Sequence, residues 1–339
     1  MGVMSDLMNV VGYTDSLPIS DPRSLFDTQL PVPEPGPHDL RVEVRAVSVN
    51  PVDAKQRLRA PSDQVQVLGY DAAGVVDAVG PEVTLFRPGD AVYYAGTINR
   101  PGTDAEYHLV DERIVGRIPR SLDFEQSAAI PLTALTAWEG TFDKLGIEAT
   151  TTGTLLVVGA TGGVGAMIVQ LVHVLAPRIR VVATASTPEK AEWVRGLGAA
   201  ATVNHHADLR AEIHREAPEG IDFIYTTHTA GNVETYIDVL NAFGQIVAID
   251  DPGPIDVAPL KGKALSWHWE SMFARSVFSA PDLVRQHEIL DAVAQLVDEG
   301  KVRTTLSKVM KPFNAETLRA ATALVESDRT VGKIVVGLQ

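Results

Sequence analysis

Seven residues in the middle of the chain, Gly159-Ala160-Thr161-Gly162-Gly163-Val164-Gly165, have types and spacing that suit phosphate binding. They follow an apolar run at 154–158 and open an apolar, helix-like stretch at 163–176. Glycines at such a junction permit a tight turn and let backbone N–H groups approach a pyrophosphate. The helix N-terminus adds a partial positive charge. Gly165 lets the helix pack close to the strand. The spacing is Gly-x-x-Gly-x-x-Gly rather than strict Gly-x-Gly-x-x-Gly, and a tight strand–helix turn without a ligand would read the same way. No Lys-Ser or Lys-Thr follows the glycines, so a loop for nucleoside triphosphates is disfavoured. The segment predicts a dinucleotide site on Gly159, Thr161, Gly162, Gly163, Val164 and Gly165.

The next strand bears on which dinucleotide binds. An NAD-selective site places Asp or Glu at its end, on the ribose hydroxyls. Here the strand reads Val181-Val182-Ala183-Thr184-Ala185-Ser186, and Thr187 and Lys190 follow. A hydroxyl and an ammonium hold a 2′-phosphate that a carboxylate would repel. The missing acid, with Ser186 and Lys190, predicts NADPH; for Lys190 a solvated helix face is the alternative. Thr226 and Ile249 end later strands, so their backbones are expected at the cofactor crevice.

These elements belong to a chain of 339 residues, for which two domains are expected at about 150 residues each. Apolar residues make up 45%, enough for sizeable cores. A net charge of −14 argues against a nucleic-acid surface, which needs clustered Lys and Arg. With no cysteine, disulfides, iron–sulfur clusters and thiolate metal sites are excluded. The nine histidines show no His-Glu-x-x-His or other metal spacing, so no metal is expected. The most apolar stretch, 155–176, is broken by glycines, Gln170 and His173, which does not suit a membrane span. The first basic residue is Arg23, too late for the positive start of a signal peptide. The chain therefore reads as soluble and cytoplasmic.

Two textures alternate along the chain. Asp39–Val49 switches between apolar and charged residues, the period of a half-exposed antiparallel strand. Short strands are expected at 74–79, 91–95 and 105–110, separated by Gly-Pro and Pro-Gly turns, so the first ~125 residues read as an all-β barrel or sandwich. From Ser127 the texture changes. Strand-like segments at 154–158, 180–185, 201–203, 223–226 and 245–249 alternate with helix-like ones at 163–176, 188–197, 208–217 and 233–240. That alternation predicts a parallel sheet with helices on both faces. A last strand of this set is expected at 264–268. The tail predicts a helix along Leu283, Leu290, Val293 and Val297 with Gly300 as its cap, a helix at 314–327 with Asn314 as N-cap, and a strand at 333–338.

With these residues in hand, the chain resembles the medium-chain dehydrogenase/reductase superfamily. Within it the chain is similar to the zinc-independent, zeta-crystallin-like quinone oxidoreductases, and to "zinc-type alcohol dehydrogenase-like" proteins that lack the zinc ligands. The matching stretches are Ser48-Val49-Asn50-Pro51-Val52-Asp53, Gly69-Tyr70-Asp71-Ala72-Ala73-Gly74, Arg87-Pro88-Gly89-Asp90-Ala91-Val92, Pro131-Leu132-Thr133-Ala134-Leu135-Thr136-Ala137-Trp138, the glycine loop, and Gly332-Lys333-Ile334-Val335-Val336. The resemblance implies an α/β protein in two parts. Residues 1–128 and 273–339 would form a GroES-like β-barrel catalytic domain. Residues 129–272 would form a Rossmann NADP-binding domain, a doubly wound parallel sheet of order 3-2-1-4-5-6, with the active site in the cleft between.

Zinc alcohol dehydrogenases of the superfamily bind the metal through Cys, His and Cys. The aligned positions here are Asn50, Tyr70 and Leu132, none a good zinc ligand. The lobe with four structural cysteines is missing as well. Without zinc nothing strongly polarises an alcohol for oxidation. Quinones and α,β-unsaturated carbonyls need only a hydrogen bond on the developing oxyanion. The resemblance thus implies NADPH-dependent hydride transfer to a small quinone or enone, by a homodimer.

The same resemblance assigns roles. Asn50 would line the nicotinamide cleft and bond the ribose or the acceptor oxygen, or else be a turn residue before Pro51. Tyr70 would donate to the substrate oxygen, or fill the space zinc vacated. Asp53 and Asp71 would orient neighbours, and Lys333 would at most reach the cleft. Thr136 would contact the nicotinamide, or pack a helix. His205 would lie near the adenosine phosphate, or on the open surface. Trp267, Trp269, Met272 and Phe273 would wall an acceptor pocket, an interface or the core. The rival readings are a non-catalytic NADPH-binding redox sensor, and a lyase or other reductase on the same fold.

Overall fold

The alternation in Asp39–Val49 builds a strand of eleven residues: Leu40, Val42, Val44 and Ala46 turn inward, while Arg41, Glu43 and Arg45 stay half-buried. The computed structural model describes residues 6–59 and 61–338. In chain order it contains β1 (Leu7–Tyr13), β2 (Phe26–Pro31), β3 (Asp39–Val49), α1 (Pro51–Arg57), β4 (Gln66–Val67), β5 (Ala72–Val79), β6 (Ala91–Tyr94), β7 (Tyr107–Asp111), β8 (Val115–Arg117) and α2 (Phe124–Ala128). There follow α3 (Pro131–Trp138), β9 (Gly153–Val158), α4 (Gly163–Leu175), β10 (Ile179–Thr184), α5 (Pro188–Arg195), β11 (Ala201–Val203), α6 (Leu209–Glu216), β12 (Ile221–Thr226), α7 (Val233–Val239), β13 (Leu240–Ala248) and β14 (Ser266–Trp269). The tail forms α8 (Ala274–Val277), α9 (Arg285–Asp298), β15 (Leu306–Met310), α10 (Ala315–Glu326) and β16 (Lys333–Gly337).

The chain divides into two compact units, Met1–Leu132 with Phe273–Gln339, and Thr133–Met272. Residues 1–5, Ala60 and Gln339, which the expected division also covers, lie outside the described residues. In the first unit β3 is the axis. β5 runs antiparallel along one side of it. β7 and β16 share its other side, β7 against Asp39–Glu43 and β16 against Ala46–Val49. The sheet order is β15-β16-β3-β5-β6-β8, and β2-β1-β4 form a smaller sheet. The last strand of the chain thus enters the sheet of the first. Asn314 caps α10 as expected, its side chain accepting from the Thr317 N–H at 2.9 Å.

In the second unit six parallel strands lie in the order β11-β10-β9-β12-β13-β14. This is the doubly wound order 3-2-1-4-5-6 that the resemblance implied. Leu155, Leu156 and Val157 on β9 are fully buried, as are Met167, Ile168 and Val169 on α4. Burial of each such side chain contributes about 1.5–3 kcal/mol. Among the described residues no helix is long and apolar enough to cross a membrane.

Candidate active site

In the second unit the glycine loop sits where β9 hands over to α4. Gly159 has φ +81°, and a Cβ there would lie 2.0 Å from the Thr227 hydroxyl oxygen, so the turn requires glycine. Its N–H donates to Thr184 Oγ1 at 2.9 Å, and the Gly162 N–H donates to the Gly159 carbonyl at 3.1 Å. A Cβ on Gly165 would sit 2.3 Å from the Gly159 carbonyl oxygen, so helix and loop touch at that point. Gly162 caps α4 but has no side chain to offer the first-turn N–H groups of Gly163, Val164 and Gly165. Those donors, the half-buried Thr161 beside them and the helix dipole fit an anion such as a pyrophosphate.

Five of the other expected cofactor residues, Ser186, Lys190, His205, Thr226 and Ile249, lie at the same sheet's carboxyl ends or just beyond. Ser186 is half-buried after β10. Thr187 caps α5 by accepting from the Lys190 N–H at 3.3 Å, and Lys190 is half-buried on that first turn. The neighbouring Glu189 is exposed; a hydrogen bond from the Thr187 hydroxyl holds its carboxyl below the usual range. His205 is exposed after β11, its ring 4.4 Å from that of His206. Thr226 ends β12, fully buried; its hydroxyl meets that of Tyr236 at 2.9 Å and accepts from the His228 N–H at 2.9 Å. The Ile249 N–H donates to the Thr226 carbonyl at 3.2 Å. Thr136 is buried on α3, and its carbonyl accepts from the Tyr225 hydroxyl at 2.7 Å.

Sequence reasoning missed three groups here. Thr184 steadies the glycine turn, and Thr227 crowds it. Thr229 donates through its N–H and its hydroxyl to the Asp250 carboxylate at 2.7 and 2.6 Å. Their only signal is a polar residue at or just past the end of an apolar strand.

The first unit gathers Asn50, Tyr70 and Leu132 around buried charges. The Asn50 amide donates to the Ser48 carbonyl at 3.0 Å and to Asp71 Oδ2 at 3.2 Å, and its oxygen accepts from Lys333 Nζ. Asp71 also accepts from the Leu132 N–H at 3.1 Å and lies 3.4 Å from Lys333 Nζ. Asp53 accepts from the Asn50 N–H at 2.6 Å and from the Gly69 N–H at 3.1 Å. Burial pushes the Asp53 carboxyl up to about 7 and that of Asp71 up to about 6, and pushes the Lys333 ammonium down. Asp104, also buried, is pushed well above the usual carboxylate range by burial and then by Asp53. Both expected orienting acids, Asp53 and Asp71, are thus in contact with Asn50.

Tyr70 differs from its neighbours. Its ring is buried and meets Phe273 edge-on, with centroids 5.7 Å apart and planes at 76°. Among the described residues its hydroxyl has no hydrogen-bond partner. Burial raises its pKa, so the group stays a phenol with a proton to offer. Of the expected aromatic group, Phe273 is the member that touches Tyr70. Trp267 and Trp269 pack edge-on to each other at 5.6 Å on β14, with Trp267 against the second unit's core and Trp269 half-exposed. Met272 is buried.

A six-stranded parallel sheet of this order, with a glycine turn opening a helix that has no side-chain cap, defines a nicotinamide-dinucleotide dehydrogenase fold. Comparison with known proteins agrees with that class. Residues 36–120 match the alcohol dehydrogenase GroES-like domain, and residues 197–336 match the zinc-binding dehydrogenase family. A zinc-type alcohol dehydrogenase-like protein of Staphylococcus epidermidis is 33% identical over 98% of this chain and all of its own. A quinone oxidoreductase of Lama guanicoe is 31% identical over 69% of this chain and 70% of its own. A solved structure from Rhizobium etli, of the zinc-dependent alcohol dehydrogenase type, superposes with a TM-score of 0.94 at 47% identity, over 98% of both chains. The chain belongs to the medium-chain dehydrogenase/reductase superfamily, and it is an oxidoreductase of that family.

The family includes zinc enzymes, so the donor set decides whether a zinc ion fits here. Leu132 has no donor atom, the Asn50 amide is already hydrogen-bonded, and the Tyr70 phenol is held protonated. These side chains do not fit a catalytic zinc ion.

Proposed function

We propose that the protein is an NADPH-dependent reductase of quinones and α,β-unsaturated carbonyl compounds that works without zinc. The observation that carries this reading is the Tyr70 phenol. It is buried, protonated and unpartnered among the described residues, and the family resemblance sets it opposite a metal ligand of the zinc enzymes. A phenol can hydrogen-bond an oxygen that gains negative charge as hydride arrives at a conjugated carbon. It cannot replace a Lewis acid for oxidation of an unactivated alcohol. The quinone oxidoreductase among the relatives supports the acceptor class.

The dinucleotide, when bound, supplies the hydride. The N–H groups of Gly163, Val164 and Gly165 would hold its pyrophosphate, with Gly159, Thr161 and Gly162 shaping the turn. Ser186 and Lys190 would take the 2′-phosphate, and His205 would flank the adenosine end. Thr136, Thr226 and Ile249 would flank the nicotinamide half. Tyr70 donates to the acceptor oxygen and keeps its proton; water supplies the proton that completes the hydroquinone or saturated ketone. The Asn50 amide, with both hydrogens engaged, orients this segment.

The test is NADPH consumption by purified protein with 1,4-benzoquinone and with a simple enone, alongside NADH, with and without chelator. Chelator-resistant turnover that prefers NADPH is the expected result. Tight NADPH binding without turnover would favour the sensor reading, and turnover abolished by the chelator would refute the zinc-free assignment.

A further inference from the structure

Lys333 is buried on β16, a strand otherwise built here of Ile334, Val335 and Val336. A buried ammonium is costly unless it is paired and hydrogen-bonded. Lys333 Nζ donates to the Val49 carbonyl at 2.9 Å and to Asn50 Oδ1, and lies 3.4 Å from Asp71 Oδ2. These acceptors hold the backbone around Tyr70. Asp71 follows Tyr70 in the chain and ties it to the Leu132 N–H at 3.1 Å. Gly69 precedes Tyr70, and its N–H is held by Asp53 at 3.1 Å. Asp53 in turn accepts from the Asn50 N–H at 2.6 Å, so both clamps meet at Asn50. The phenol itself makes no hydrogen bond among the described residues, so its direction comes from the clamped backbone and the Phe273 ring.

We propose that Lys333 is a positioning residue for the reduction: through Asp71 and Asn50 it fixes segment 69–71 and so aims the Tyr70 hydroxyl at the acceptor oxygen. This rests on the reading of Tyr70 as the hydrogen-bond donor. Without the ammonium, Asp71 is a buried carboxylate with no counter-charge. It must take a proton or turn away, and either change loosens its hold on Leu132 and Asn50. A displacement of about 1 Å at a reacting group is enough to cost about a hundredfold in rate.

The test is a double-mutant cycle between Lys333→Met and Tyr70→Phe, with Asp71→Asn as a second way to break the ion pair. In folded protein, Lys333→Met should lower kcat with 1,4-benzoquinone by about tenfold or more. The KM for NADPH should stay within about twofold. In the Tyr70→Phe background, Lys333→Met and Asp71→Asn should cost almost nothing further, because the group they aim is gone. Additive losses would overturn the proposal, since Lys333 would then act on stability or elsewhere. A readout independent of turnover is the 19F resonance of 3-fluorotyrosine at position 70, assigned through Tyr70→Phe. It should shift or broaden in Lys333→Met and in Asp71→Asn. An unchanged resonance in both would overturn the proposal even if the quinone reaction is confirmed. An altered resonance in protein that reduces no quinone would sustain the clamp and refute the proposed reaction.

Discussion

The Asn50 amide and the Tyr70 phenol, both buried, end in opposite situations: the amide has spent its hydrogens on Ser48 and Asp71, while the phenol has no partner among the described residues. Tyr70→Phe should therefore lower kcat for quinone reduction by about a hundredfold, the usual cost of one oxyanion donor. Its Kd for NADPH, read by fluorescence titration, should be unchanged; a rate within error of wild type would remove the phenol from the chemistry. The carboxyls beside it give a pH signature. Asp53 titrates at about 7 and Asp71 at about 6 in the folded chain, each raised from an ordinary 3.8 by burial. The folded state thus binds these protons more tightly than the unfolded state. Their favourable contribution is complete below about pH 4 and is lost as pH rises through about 6 to 7. Asp53→Asn should flatten that part of the stability profile, measured by denaturant titration at several pH values. An identical slope in the variant would show that Asp53 does not titrate there. The sequence marked Asn50 and Tyr70 through their motifs. It could not place Lys333, because nothing local tells whether a lysine in an apolar strand faces inward; its partner Asn50 is 283 residues away.

At the scale of elements, the legible parts were those with a regular period. β3, β9, β11 and α4 follow from alternation or from continuous apolar runs, and their observed bounds differ from expectation by at most a residue. β2 and β15 gave no such signal, because their residues are mostly half-buried or exposed and their hydrogen bonds come from distant partners. β7 starts at Tyr107 rather than Ala105, since Ala105 instead forms an isolated bridge to Val10. The short helix α1 was hidden behind the Asn50-Pro51 pair, which reads as a turn, although Pro suits the first turn of a helix. The α5 N-terminus carries the cofactor prediction. Lys190 is half-buried on the first turn, and no ion pair to it is found among the described residues. Lys190→Ala should weaken NADPH binding by about tenfold and leave NADH binding unchanged, as loss of one charge-assisted phosphate contact would do. Calorimetry with both nucleotides checks this. Equal losses for the two would return Lys190 to a plain helix-face residue.

At the scale of the molecule, the chain builds its first unit from both of its ends, with β16 laid antiparallel on β3, while the middle forms the parallel sheet. The sheet order follows from the alternation of strands and helices and from handedness rules, so it was open to reading. The pairing of tail to start was open only through family resemblance. The proposed reaction is hydride transfer to a conjugated carbonyl without a metal. It is tested most directly with NADPH deuterated at C4 of the dihydronicotinamide, both stereoisomers being used, a simple enone, and protein stripped by chelator. Deuterium from one isomer should appear on the β-carbon of the saturated ketone, at the same rate with stripped as with untreated protein. No transfer from either isomer, or transfer restored only by added zinc, would contradict it.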